Sequence, residues 1–268
     1  MESKKHLSTF KFVKEFFIAI LIVYSLFFII FTFFQGSFIY FPTNQSFEDC
    51  PGFSNYEKKT ISNTRFYFKQ GNSSINKAII YYHGNAGSAC DRSMIKNFFE
   101  KYDYTLIFVE YSGYSNDKIK PNKERIFKNV ENIHNFLINN NYNNNIVYGA
   151  SIGSSLASYH ASLGDVEKLI LVSPFSSMKD LVKSKIRIYP VSLILKENYD
   201  NLALLSDYNN ELLILHGDTD KEIPAYHSKN LYENIYIKNK KYTPIKNFGH
   251  NDLWLSNEFK KEIDQFIK

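Results

Sequence analysis

The 268-residue sequence predicts an α/β protein, with a mainly parallel central sheet covered by helices on both faces and preceded by one apolar N-terminal helix. Three observations lead there. From about residue 77 onward, short apolar runs rich in β-branched and aromatic residues alternate with helix-patterned stretches, and continuous apolar runs of this kind suit strands buried on both faces. A long charge-free run stands apart near the N-terminus. Several of the later runs end in Gly-rich or Asp-rich segments, where a parallel sheet would place its loops. Apolar residues make up 44% and charged residues 22%, which is ordinary globular usage and excludes wholesale disorder.

Taking the elements in order, residues 1–15 form a short basic tail and residues 16–34 read FFIAILIVYSLFFIIFTFF. As a helix this charge-free run spans about 28 Å, enough to cross the hydrocarbon of a bilayer. A secretory signal peptide is the competing reading, but its apolar region is shorter, at roughly 7 to 15 residues, and ends in a small-residue cleavage site. Lys4, Lys5, Lys11 and Lys14 precede the run, and the first lysine after it is Lys58. That asymmetry predicts a single-pass membrane anchor with a cytoplasmic N-terminus and the rest of the chain on the extracytoplasmic side. There, Cys50 and Cys90 either pair, closing a loop worth about 3–4 kcal/mol, or remain unrelated thiols; both readings stay open.

Residues 35–268 read as one domain, without an internal repeat or a Pro/Gly linker. Strands are expected at 77–82, 105–111, 146–148, 168–172, 211–215 and 243–246, and helices at 123–137, 152–163, 225–234 and 258–267. Residues 139–145 (NNNYNNN) form a loop, because asparagine tolerates left-handed backbone angles. The stretch 178–207 is too long for a simple crossover and is expected to form a lid or an extra helix beside a site. The net charge of +5 comes partly from the tail, and no basic stripe with interleaved aromatics follows, so no nucleic-acid partner is expected. Two cysteines without a CxxC pair point to neither a metal site nor a disulfide-dense scaffold.

The chemistry is carried by four segments. Gly149-Ala150-Ser151-Ile152-Gly153 follows the strand at 146–148 and opens a helix. A serine on such a sharp strand-to-helix turn has its hydroxyl exposed, and the helix N-terminus favours developing negative charge. The bland alternative is a Gly-rich turn with a serine cap. A serine nucleophile needs a base, usually a histidine oriented by a carboxylate. His250, in Phe248-Gly249-His250-Asn251-Asp252, follows the last strand. Asp218 and Asp220, in His216-Gly217-Asp218-Thr219-Asp220, follow the strand at 211–215, and spacing alone does not choose between them. His83 and His216 precede glycines at strand ends and read as supporting residues, whereas His134, His160 and His227 fall within helices. His83-Gly84-Asn85-Ala86-Gly87 follows the strand at 77–82 and is flexible enough to turn an amide toward Ser151; the N–H groups of Asn85 and Ile152 are the candidate oxyanion donors. A phosphate cradle is disfavoured there, because no Lys-Ser/Thr ending follows.

With these segments and Tyr111-Ser112-Gly113-Tyr114-Ser115, the sequence resembles the α/β-hydrolases of the membrane-anchored group that includes protein depalmitoylases and bud-emergence-type hydrolases. The resemblance covers nearly all of the domain after the anchor. It implies the α/β-hydrolase fold, with Ser151 as nucleophile, Asp220 as acid and His250 as base, in the chain order expected of that fold. Ser112 departs from the more usual Tyr-Arg-Gly-Tyr. The resulting expectation is a membrane-tethered serine hydrolase of esters or thioesters that needs no cofactor, acting on a small-molecule or acylated/lipid substrate. The rivals are an inactive binding module on the same fold and an acyltransferase or serine peptidase using the same triad.

Overall fold

The computed structural model describes residues 2–72 and 75–268. Helix α1 runs over Glu2–Phe33, and the short α2 (Gly36–Ile39) leads from it into the domain. Residues Phe10–Phe33 of α1 are long and apolar enough to cross a membrane, and none of that apolar window is buried in the protein.

The strands are β1 (Phe41–Pro42), β2 (Glu57–Ile61), β3 (Thr64–Lys69), β4 (Ala78–Tyr82), β5 (Ala86–Gly87), β6 (Thr105–Glu110), β7 (Asn145–Ala150), β8 (Val166–Val172), β9 (Glu211–Gly217) and β10 (Lys240–Ile245). Eight of them form one sheet in the order β10-β9-β8-β7-β4-β6-β3-β2, parallel from β10 to β6. Strands β3 and β2 add antiparallel at the far edge. The central strand β4 is buried along its whole length, and its alternating side chains feed both layers: Ile80 and Tyr82 one, Ile79 and Tyr81 the other.

After α3 (Lys96–Phe99), the helices are α4 (Lys123–Asn139), α5 (Gly153–Leu163), α6 (Met178–Lys185), α7 (Val191–Ile194), α8 (Asn201–Leu204), α9 (Tyr226–Asn234) and α10 (Asn257–Ile267). Helix α4 begins where the Asn122 side chain accepts from the Arg125 N–H, and it buries Ile126, Val130, Ile133 and Leu137 at helical spacing. Helix α10 begins at a Ser256 cap and lays Phe259, Ile263 and Ile267 on the opposite layer.

Three departures from expectation have local causes. The hairpin β2–β3 was not foreseen; its turn is Ser62-Asn63, both at positive φ (44° and 66°), which fits a mirror-image turn without the usual glycine. Strand β10 starts at Lys240, three residues earlier than its apolar pattern implies, because an edge strand tolerates lysines on its exposed side. The stretch 178–207 forms three short helices, α6 to α8, rather than one.

Candidate active site

The parallel strands β4, β7, β9 and β10 all point their carboxyl ends the same way, so the loops that follow them meet at one edge of the sheet. Ser151 follows β7 directly. Its backbone sits at φ 56°, and its N–H donates to the Val172 carbonyl at 2.9 Å. A left-handed conformation costs a non-glycine residue roughly 1–2 kcal/mol, so the surrounding packing must impose it. The flanking glycines show how. A Cβ on Gly149 would lie 2.2 Å from the Gly153 carbonyl oxygen, and a Cβ on Gly153 would lie 2.3 Å from that of Tyr82 and 2.4 Å from that of His83. Helix α5 therefore starts in direct backbone contact with the end of β4.

The loop after β4 is fixed from several sides. His83 is buried with its ring stacked on Tyr111, the centroids 3.8 Å apart, and the Tyr111 hydroxyl donates to the His83 carbonyl at 2.7 Å. The Tyr114 hydroxyl donates to the Asn85 carbonyl at 2.7 Å, and the Asn85 side-chain amide donates to the Ile39 carbonyl at 3.1 Å. Ala86 and Gly87 pair with Phe41 and Pro42 as β5 on β1. A Cβ on Gly84 would lie 3.5 Å from that of Ser151, so this loop rests against the serine. Ser112 exchanges hydrogen bonds with Asn129 of α4 and is buried there, so the position that departs from the Tyr-Arg-Gly-Tyr pattern faces the helix layer.

His250 Nδ1 donates to Asp220 Oδ2 at 2.6 Å. The other oxygen, Oδ1, accepts from the N–H groups of Glu222 and Ile223, each at 2.9 Å. His216 Nε2 lies 3.1 Å from Oδ2, and its Nδ1 is 2.5 Å from the Ser228 hydroxyl oxygen. Burial alone would raise the Asp220 pKa, but the hydrogen bonds from His216 and His250 outweigh it and hold the carboxyl well below the usual carboxylate range. Asp218 instead accepts from the Asn247 N–H at 2.7 Å. The loops of the aspartate and the histidine are in backbone contact, since a Cβ on Gly217 would lie 2.3 Å from the Phe248 carbonyl oxygen.

Asn85, Ser151, Ile152 and His250 line one cavity of about 330 Å³. Among the described residues, no group of His, Cys, Asp and Glu side chains is arranged to hold a metal ion. Sequence reasoning did not single out Glu222, whose Oε2 lies 3.8 Å from His250 Nε2 at the cavity rim. Nor did it foresee that the end of α1 joins the wall through Phe31, and the segment just after it through Gln35 and Phe38. Neither carries a signal in one sequence: Glu222 is one of many acidic loop residues, and an apolar run that can cross a membrane masks any other role. The stretch 178–207 supplies most of the remaining wall, including Met178, Ile186, Tyr189 and Leu195. Gln35 fastens it, accepting from the N–H groups of Lys196 and Glu197 and donating to the Ile194 carbonyl. Cys50 and Cys90 form a disulfide and are buried in the core of the layer that also holds Ile79 and Tyr81.

No family model matches the chain. Among curated proteins it is 30% identical over 212 residues to the uncharacterized protein R595 of Acanthamoeba polyphaga mimivirus, covering 70% of this chain and 71% of that one. It is 24% identical over 200 residues to the human alpha/beta hydrolase domain-containing protein 17B, covering 70% and 65% of the two chains. Among solved structures, the Pyrococcus furiosus esterase Pf2001 superposes with a TM-score of 0.64 at 15% identity, over 85% of this chain and 96% of that one. Sheet order, the strand-to-helix turn at Ser151 and these relatives agree: the chain belongs to the α/β-hydrolase family.

Proposed function

We propose that the protein is a membrane-tethered serine hydrolase that cleaves carboxylic ester or thioester bonds through an acyl-enzyme. Residues 1–15 form its cytoplasmic tail, 16–34 its single span and 35–268 a catalytic domain on the extracytoplasmic side. Ser151 is the nucleophile, His250 the general base and Asp220 its orienting carboxylate; the amides of Asn85 and Ile152 receive the oxyanion. The reading rests above all on the 2.6 Å hydrogen bond from His250 Nδ1 to Asp220, made at the rim of the cavity that Ser151 lines. With Nδ1 donating, the lone pair of the neutral imidazole is on Nε2, free to take the serine proton.

The serine oxygen then attacks the acyl carbon, His250 returns the proton to the leaving alcohol or thiol, and a water activated by the same imidazole releases the acid. The strained backbone at Ser151 and the low-pKa carboxylate of Asp220 both favour this cycle, since the anion stabilises the imidazolium formed in each half. The full-length protein in detergent is expected to label with a fluorophosphonate probe and to turn over a short p-nitrophenyl ester. Ser151→Ala should abolish both. Labelling and turnover that survive this substitution would refute the assignment.

A further inference from the structure

The stretch between α6 and Lys196 reads Ile186-Arg187-Ile188-Tyr189-Pro190-Val191-Ser192-Leu193-Ile194-Leu195, and its helix α7 contacts α1. The Tyr189 ring stacks on Tyr24 with centroids 4.6 Å apart and meets Phe31 edge-on at 5.5 Å. The Tyr24 hydroxyl donates to the Ile188 carbonyl at 3.1 Å, and the Tyr189 hydroxyl donates to the Tyr24 carbonyl at 3.4 Å. Tyr24 lies nine residues before the end of α1 at Phe33, about 13 Å down the helix axis. The loop tip thus hangs alongside the span, below the level at which that helix ends.

Its outward side chains fit such a position. Ile188 is 72% exposed and Leu193 83%, and neither lines the cavity. Phe34 and Phe38 are exposed beside the end of the span. Flanking this apolar tip in the chain are Lys183, Lys185, Arg187 and Lys196, all exposed, with Lys185 also lining the cavity. Apolar side chains flanked by long cations match a lipid surface: the tip enters hydrocarbon while the cations reach back to lipid phosphates. The inner side of the same loop, through Ile186 and Tyr189, forms cavity wall together with Phe31 and Phe38.

We infer that residues 186–195 are a second membrane-inserted element, seated in the leaflet beside the span. The cavity wall that this loop shares with Phe31 and Phe38 then lies at the bilayer edge, within reach of the acyl chain of an ester held in the leaflet. This inference rests on the proposed membrane span and extends it to a second point of contact.

Both native cysteines are in the disulfide, so an introduced cysteine provides the only free thiol. Full-length Leu193→Cys, Ile188→Cys, Leu21→Cys and Tyr236→Cys are each labelled with the environment-sensitive fluorophore NBD. They are then reconstituted into phosphatidylcholine/phosphatidylglycerol vesicles containing lipids with a doxyl quencher on the acyl chain. The labels at 188 and 193 should shift to the blue and lose most of their emission to the quencher, as should the reference at 21 within the span. The label at 236, on a side chain that is 94% exposed, should do neither. Quenching at 21 without quenching at 188 and 193 overturns the inference and leaves the span standing; no quenching at 21 overturns both. Two independent positions guard against one label disturbing the loop.

Discussion

Adding a single methyl group at Gly153 tests whether the tight backbone contact behind Ser151 sets the reaction geometry. The Cβ of Gly153→Ala would lie 2.3 Å from the Tyr82 carbonyl oxygen and 2.4 Å from that of His83, where ordinary contact begins at 3.4 Å. Both obstacles are backbone, so α5 and the end of β4 must part by about 1 Å rather than rotate a side chain aside. That displacement separates Ile152, at the start of α5, from Asn85, three residues beyond Tyr82. A misplacement of about 1 Å can cost roughly 100-fold in rate. Overpacking of this kind destabilises by about 1–3 kcal/mol. The assay is kcat and KM for a short p-nitrophenyl ester in detergent, beside the thermal midpoint. The expected result is a kcat about 100-fold lower in a protein that still folds. Gly249→Ala, next to His250 but with no atom closer than 3.7 Å to its new Cβ, should stay near wild type. A folded Gly153→Ala protein with wild-type kcat would refute the reasoning.

Three further outcomes follow from the geometry. Asp220→Asn keeps the shape of the site but loses the charge that fixes the His250 tautomer, and kcat should fall by about 10³–10⁴-fold with little change in KM. Burial, reinforced by the nearby His134, lowers the His160 pKa to about 3, while the unfolded chain protonates this residue below about pH 6.5. The unfolded state therefore binds more protons as pH falls through that window, and stability measured by urea unfolding should drop by about 2 kcal/mol between pH 8 and 5 from this group alone. His160→Gln should flatten that slope, and an unchanged slope would assign it elsewhere. Cys50→Ser should lower stability by about 3–4 kcal/mol, because it reopens a loop with a sequence separation of 40; no difference from the oxidised protein in urea unfolding would count against the bridge as a source of stability.

Much of this architecture was legible because the parallel strands are buried on both faces and write themselves as unbroken apolar runs. The β4 sequence Ala78–Tyr82 and the β9 sequence Glu211–Gly217 lie where those runs predict. The four loop motifs were readable because each needs glycine or aspartate at a strand end, and their meeting at one edge follows from parallel topology. Sequence spacing could not separate Asp218 from Asp220, and in the fold the two carboxylates meet different partners, one the Asn247 amide and the other two histidines. The hairpin at the sheet edge stayed hidden because its turn lacks glycine and its first strand is mostly exposed and lysine-bearing. The cavity wall was the least legible part, since it joins residues such as Phe31 and Tyr189 that are far apart in the chain and carry no local pattern.

The few residues after the apolar helix decide how a soluble fragment of this protein could be made. Gln35 holds the backbone at Ile194, Lys196 and Glu197, and Tyr40 is buried with its hydroxyl against the Glu197 carboxylate and 2.6 Å from the Tyr199 hydroxyl. Phe41 donates its N–H to the Asn85 carbonyl at 3.0 Å. A cut placed for convenience at residue 42 would break the pairing of β1 with β5 beside Asn85 and free residues 194–197 from Gln35, yielding material misassembled at the cavity. Expression for crystallography should instead begin ahead of Gln35 or keep the whole helix in a detergent belt.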